Sequence, residues 1–392
     1  MTLSSLSVYV HIPFCRKRCV YCDFNTYAEK ENLVPEYVNA VLGEIEFYKN
    51  NLAGKFYLKT IYFGGGTPTL LSPGDFERII NTIVCYIDLD KEIEISTEAN
   101  PTNLSGDYLL NLQKAGINRL SIGAQSAILQ ELQVLGRTHS AADIKQAVKN
   151  AGRAGFTNIN VDLMYGIPRQ TLKSFKQSLE FAASLKPQHL SIYGLGVEEG
   201  TPLSGMVKNG VYDLPDEEVS AAMYEYAMET LAEGGFNQYE ISNWAKSDDR
   251  DFRSQHNLQY WRNKDYLGIG AGAHSHVENR RWYNSAEIEN YISKSKKASS
   301  DVFPAVEAIT NLTNIDHIKE AMMMGLRLTE EGVNISALSE KYEIKIEQYY
   351  KKEISRLVAI GLVKNQTTSK GEVLRLTRKG RLLGNQVFQE FV

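Results

Sequence analysis

Cys15, Cys19 and Cys22 stand in a C-x3-C-x2-C spacing near the start of the chain, and the only other cysteine, Cys85, lies far downstream. Three thiolates leave a structural zinc site one ligand short. They can hold three corners of a [4Fe–4S] cube and leave one iron without a protein ligand. An open iron is a place to bind something, so the spacing points to chemistry more than to scaffolding. Zinc held by the three cysteines and His11 is the competing reading, although closely spaced ligands in a loop after a strand are atypical of zinc knuckles. Arg16, Lys17 and Arg18 would favour thiolate over thiol, or would simply form a solvated basic loop. Tyr21 and Phe24 would shield a cluster and stack against a ligand, or fill core. Cys85, in Ile83-Val84-Cys85-Tyr86, reads as inert core on an apolar helical face.

A second suggestive stretch is Gly64-Gly65-Gly66-Thr67-Pro68. Such a run brings backbone N–H and C=O groups close to a ligand without interference from Cβ. No Gly-Lys-Ser/Thr follows, so it is not a Walker loop, and a plain turn is the alternative. Glu98, Gln125, Arg137 and Asp162 each read singly as satisfied surface residues. Together they could bind ribose hydroxyls and a carboxylate.

These residues need elements that bring them to one place. Strand patterns fall at Ser7–Ile12, Leu58–Phe63, Glu92–Thr97, Asn118–Ile122, Asn158–Leu163 and His189–Tyr193. Amphipathic helical patterns at Val34–Asn50, Gly74–Tyr86, Ala141–Ala154 and Leu172–Leu185 alternate with them. Six βα units predict a parallel sheet with right-handed crossovers, either an open doubly wound sheet or an incomplete barrel. Every suggestive group follows or closes a predicted strand, the edge at which parallel α/β folds place their sites. The pattern divides the chain into 1–235, a connecting region 236–311 and a C-terminal domain 312–392. In the last, helices at Asp316–Leu328, Ile335–Tyr342 and Ile346–Ile360 precede a two-stranded wing, a winged-helix-like α+β arrangement.

Composition excludes several classes. Hydrophobic content of 43% and charged content of 23% over 392 residues are those of a soluble globular chain. A net charge of −4 argues against a general nucleic-acid or membrane-surface binder. The C-terminal stretch from Ile315 carries thirteen Lys/Arg against ten Asp/Glu, too small an excess for a DNA reader. No run approaches the ~18 apolar residues of a membrane span, and the N-terminus lacks a signal-peptide pattern. The expectation is a protein of a reducing compartment, the cytoplasm.

The cysteine loop, with an aromatic before its last cysteine, followed by Gly-Gly-Thr-Pro after the next strand, resembles the radical S-adenosylmethionine (SAM) superfamily. That resemblance implies a partial (β/α)6 barrel, a [4Fe–4S] cluster on Cys15, Cys19 and Cys22, and SAM chelated by the open iron and cleaved on reduction to a 5′-deoxyadenosyl radical. Tyr9-Val10-His11-Ile12-Pro13-Phe14-Cys15, Asn160-Val161-Asp162-Leu163-Met164-Tyr165-Gly166-Ile167-Pro168 and Gly123-Ala124-Gln125-Ser126 narrow it to the oxygen-independent coproporphyrinogen III oxidase-like family, over most of the chain. Carried over, Tyr9, Tyr21, Gly65, Gly66, Thr67, Glu98, Gln125, Arg137 and Asp162 would line the SAM site. Gly66 and Thr67 would meet the methionine amino group, Arg137 its carboxylate and Glu98 the ribose side; Phe24 and Gly196 join them at the cofactor site.

The decarboxylating oxidases carry a fourth cysteine two residues after the third, where this chain has Phe24, and a substantial extension ahead of the first, where it has fourteen residues. Both departures resemble the heme-chaperone branch of the family. So do His256-Asn257-Leu258-Gln259-Tyr260-Trp261, an H-N-x-x-Y-W run, Tyr239-Glu240-Ile241-Ser242-Asn243-Trp244, and the stretch from Leu267 to Ser275. The resemblance implies binding of heme and its delivery to a membrane-associated acceptor hemoprotein, without porphyrinogen oxidation. His256 would ligate the iron between flat apolar surfaces from Tyr260 and Trp261, with His274 and His276 as lesser candidates. His139, His189 and His317 read as ordinary core or surface residues. Oligomeric state stays open, a homodimer included.

Overall fold

The computed structural model describes residues 3–248, 250–297 and 301–392. Met1 and Thr2, where the N-terminal reading begins, lie outside them. The first half runs β1 (Ser4–Ile12), β2 (Phe14–Cys15), β3 (Tyr27–Ala28), α1 (Val34–Leu52), β4 (Phe56–Gly65), α2 (Pro73–Val84), β5 (Asp88–Ala99) and α3 (Gly106–Lys114). It continues through β6 (Arg119–Gln125), α4 (Leu129–Val134), α5 (Ala141–Arg153), β7 (Ile159–Tyr165), α6 (Leu172–Ser184), β8 (His189–Gly194), α7 (Pro202–Lys208) and α8 (Glu217–Glu233). Every strand and helix expected in this half is present. Helices α2, α5 and α6 begin at capping boxes on Ser72, Ser140 and Thr171, which satisfy their first free amides.

Strands β1, β4, β5, β6, β7 and β8 lie side by side in that order, all parallel. A strictly sequential order with right-handed crossovers puts all the connecting helices on one face, which decides for the partial (β/α)6 barrel over the doubly wound sheet. Side-chain alternation agrees. Leu6, Val8, Val10 and Ile12 of β1, or Leu120 and Ile122 of β6, are buried in the apolar layer under the helices. The alternate positions, Ser7, Tyr9 and His11 or Arg119, Ser121 and Gly123, turn a largely polar face to the interior.

The barrel does not close. After β9 (Phe236–Glu240) and β10 (Asn243–Lys246), the short helix α9 (Gln255–Trp261) precedes β11 (Tyr266–Ile269), β12 (His274–Val277), β13 (Arg280–Asn284), α10 (Ile288–Ser295) and β14 (Val306–Asn311). β10 pairs with β8 at one edge and β11 with β1 at the other, extending the sheet to twelve strands. The last segment comprises α11 (Asn314–Gly325), β15 (Val333–Asn334), α12 (Ile335–Tyr342), α13 (Ile346–Tyr349), α14 (Lys351–Ala359), β16 (Val363–Thr368), β17 (Gly371–Leu376), α15 (Arg378–Leu382) and α16 (Gly384–Phe388). Its own core of Ile318, Met322, Leu357, Leu374 and Phe388 packs helices on the three-stranded sheet β15-β17-β16. The single helix expected over 346–360 is two. Tyr350 leaves helical geometry at φ −104° and ψ 27°, and its hydroxyl donates to the Phe391 carbonyl at 3.2 Å.

Candidate functional site

The C-terminal ends of the six parallel strands open onto a cavity of about 500 Å³. The cysteine loop forms one wall. It is anchored at its base by pairing of Phe14 with Tyr27 and Cys15 with Ala28, and at its far end by Val20, whose carbonyl accepts from the Leu203 amide at 2.9 Å. Cys15, Cys19 and Cys22 are all free, half-buried thiols that line the cavity. Burial pushes the Cys15 thiol up to about 11, opposed by the Thr67 hydroxyl at 3.7 Å and by the Arg137 charge. Arg137 is the cation that acts on Cys15, while Lys17 and Arg18 of the basic run line the same cavity and Arg18 donates to the Phe24 carbonyl at 3.2 Å.

The glycine run approaches as closely as its sequence suggests. The Gly66 and Thr67 amides donate to the carbonyls of Ile12 and Phe14, both at 2.8 Å. A Cβ on Gly66 would sit 2.5 Å from the Phe14 carbonyl oxygen and 3.0 Å from Cys15 Sγ. Gly65 has φ +113°, and a Cβ there would meet the His11 ring at 2.5 Å.

Opposite lie the charged groups. Arg137 Nη2 donates to the Tyr21 hydroxyl at 3.0 Å, while its buried Nε has no hydrogen-bond partner among the described residues. Burial works against the guanidinium charge, but Tyr21, Cys19 and Cys15 beside it hold its pKa above the ordinary value. Glu98 accepts from the Tyr62 hydroxyl at 2.9 Å and the Gly65 amide at 3.2 Å. Burial, opposed by the Tyr62 bond and reinforced by the charge of Asp162, raises it to about 7. Asp162 accepts from Asn160 at 2.7 Å and Ser121 at 3.0 Å, and burial raises its pKa against those bonds. Gln125 is held at φ 64°, rare for a residue with a side chain, where β6 shifts register against β7. Phe24, 63% exposed, and Gly196 complete the rim.

Two expected residues lie elsewhere. Tyr9 is beside the cavity, hydrogen-bonded to His11 at 3.0 Å and stacked on Tyr62 at 6.2 Å between ring centroids. His256 is under its floor. Its ring stacks on Tyr62 at 4.9 Å, Nδ1 meets the Thr60 hydroxyl at 2.7 Å, Nε2 meets the Tyr260 hydroxyl at 3.1 Å, and its amide donates to Glu94. Burial and then Arg119 depress its pKa to about 3. The H-N-x-x-Y-W segment, most of α9, thus plugs the barrel interior, and Arg327 covers the Trp261 ring at 4.7 Å. His274 is exposed, stacked on Tyr283 at 5.2 Å. Cys85, expected in the core, is exposed. The buried stripe of α2 is Phe76, Ile79, Ile80 and Ile83, and Cys85, two residues beyond Ile83 and still helical at φ −64° and ψ −18°, falls on the opposite side.

Sequence reasoning missed Tyr62, which lines the cavity and ties His256 to Glu98. The signal was there in the alternation of β4: Tyr62 shares a face with Thr60 and Gly64.

Three free thiols, an unpartnered buried guanidinium nitrogen and a glycine cradle too tight for a Cβ on one cavity fit a three-cysteine cluster with an amino-acid carboxylate beside it. The radical SAM superfamily model matches residues 9–182, and the model of the HemN C-terminal domain matches 312–383. Among solved structures, coproporphyrinogen III oxidase (HemN) from Escherichia coli, a radical SAM enzyme, superposes with a TM-score of 0.84 at 25% identity, over 99% of this chain and 90% of that one. The heme chaperone HemW of Bacillus subtilis (strain 168) is 38% identical over 98% of this chain and 99% of its own. That of Lactococcus lactis (strain IL1403) is 34% identical over 98% and 97%. The superfamily brings with it a [4Fe–4S] cluster and SAM as cofactors. Because the likeness to the chaperones runs end to end and not over the barrel alone, the chain belongs to the heme chaperone HemW family of the radical SAM superfamily.

Proposed function

We propose that this protein binds heme and passes it to an acceptor hemoprotein at a membrane, with the cluster and SAM governing its conformation rather than turning over a porphyrinogen. The observation that carries the reading is the end-to-end similarity to heme chaperones at 38% identity. Phe24, at the rim where the decarboxylating oxidases have a further cysteine, supports it. In this reading Cys15, Cys19 and Cys22 hold the cluster. Gly66 and Thr67 face the amino group of SAM, Arg137 its carboxylate and Glu98 its ribose. When bound, the pair supplies one-electron chemistry; the chain's own residues orient SAM and line the cavity with buried side chains.

Heme ligation by His256 requires α9 to leave the barrel, since both ring nitrogens are engaged. Titration of cluster-reconstituted protein with hemin should give a saturable Soret shift that is lost in His256→Ala and kept in His274→Ala. The reverse pattern moves the ligand to His274. No saturable shift in the wild type overturns the heme reading, and a shift unchanged in both variants overturns the assignment of the ligand to either histidine. The structural likeness to coproporphyrinogen III oxidase favours one other reading. Formation of protoporphyrinogen from coproporphyrinogen III with SAM and a reductant would establish it.

A further inference from the structure

Away from the cavity, β12 meets the first helix of the C-terminal segment, and three metal-ligating side chains face one another there. His276 comes from β12; His317 and Glu320 come from α11, three residues apart and so on one face. One ligand atom of each lies within 4.8 Å of the other two. The His276 ring lies 5.5 Å from that of His317, their planes 28° apart, and His317 continues the stack onto Tyr342 at 6.0 Å.

The polar atoms here are unsatisfied. His276 is 2% exposed, yet among the described residues neither Nδ1 nor Nε2 has a hydrogen-bond partner. Against burial, which lowers the His276 pKa, the neighbouring Glu278 carbonyl pulls it upward without forming a hydrogen bond of good geometry, and the Glu278 amide is directed away, at Asp265 Oδ1, at 2.8 Å. Glu320 pairs with Arg281 through Oε1 at 2.8 Å, while its buried Oε2 has no hydrogen-bond partner among the described residues. A buried polar group left unpaired costs about 1–3 kcal/mol, so an imidazole and a carboxylate oxygen orphaned side by side call for something between them.

We propose that His276, His317 and Glu320 form a binding site for a divalent transition-metal ion of the zinc class. Two imidazoles and a carboxylate with a remaining position for water are a ligand set for such an ion. Arg281, on the other carboxylate oxygen, fixes the Glu320 orientation as outer-sphere partners do. Arg281 and Lys341 are the positive charges near the pair and hold the affinity below that of an all-thiolate zinc site. The ion would join a strand of the main sheet to α11, clipping the C-terminal segment to the barrel.

The test uses full-length, cluster-reconstituted protein under anaerobic conditions, with Zn(II) alone as probe. Bound zinc is measured after gel filtration, together with the thermal midpoint. The cysteine loop is a competing thiolate site, so the Cys15→Ser/Cys19→Ser/Cys22→Ser variant is run in parallel. The wild type and the triple-serine variant should each retain about one zinc per chain and gain thermal stability on addition. His276→Phe places an apolar ring in the orphan imidazole's volume and should fold yet bind zinc at least about tenfold more weakly. Glu320→Gln should behave the same and decides the matter if His276→Phe does not fold. Zinc uptake absent from the wild type, equal in His276→Phe or Glu320→Gln, or abolished only by the serine substitutions overturns the site.

Discussion

A methyl group on Gly66 would have no room beside the cysteine loop. At Gly66 the added Cβ would fall 2.5 Å from the Phe14 carbonyl and 3.0 Å from Cys15 Sγ, and the first of these neighbours is backbone that cannot swing aside. Gly66→Ala should therefore keep its far-UV circular dichroism but retain several-fold less iron after anaerobic reconstitution; a wild-type iron content would show that the loop accommodates the methyl. This requirement was legible in the sequence, because three successive glycines weaken a strand end and suit a place where backbone must come close to something else. His256 was not. Its partners Thr60 and Glu94 lie far away in the chain, and only the assembled barrel reveals that an imidazole between aromatic residues is a floor rather than an open face. Tyr62 was within reach of the alternation rule, and so was Cys85, which stands two residues beyond Ile83 and therefore off the buried stripe of α2.

At the scale of elements, strands and helices of the barrel were readable from periodicity, but the groups that lock them together were not. Glu44 sits in α1, where an amphipathic pattern assigns a carboxylate to solvent, and is instead fully buried. It accepts from the Tyr291 hydroxyl at 2.6 Å, Asn284 at 2.7 Å and the Gly270 amide at 2.9 Å, fastening α1 to α10, β13 and the turn after β11. Burial, against those bonds, raises its pKa from 4.5 to about 7. The folded state thus holds this proton more tightly than the unfolded chain. The resulting stabilisation is fully present below pH 4.5 and is lost as pH rises through about 7. In urea unfolding across that window, Glu44→Gln should flatten the decline by up to about 1.4 kcal/mol per pH unit. Its amide nitrogen faces Asn284 Nδ2, donor against donor, so stability also drops at every pH; the slope is the diagnostic. Parallel stability curves for the two proteins would mean that Glu44 is ionised when folded.

Over the whole molecule, the C-terminal segment reaches back to the plug beneath the cofactor cavity. Glu331 takes the guanidinium of Arg262, the residue capping the C-terminus of α9, through two hydrogen bonds, and a second guanidinium from Arg253 at 3.5 Å. Alongside, the Thr329 amide donates to the Tyr239 carbonyl at 3.0 Å and the Ile241 amide to that of Arg327 at 3.2 Å, joining the segment to the edge of the sheet. The basic excess of this segment is too small for a nucleic-acid reader, and its acidic Glu331 meets barrel-side arginines. Since α9 carries His256, the hold on Arg262 bears on whether that histidine can leave its place under Tyr62. Glu331 is 37% exposed, so the pair is partly screened and its loss should cost about 1 kcal/mol, less at high salt. In Glu331→Ala the amides of α9 should exchange with solvent about fivefold faster by hydrogen–deuterium exchange, while those of β4 and β5 stay protected. If α9 and the central strands speed up together, the ion pairs support global stability rather than the plug; if neither changes, the backbone bonds at Tyr239 and Ile241 hold the segment alone.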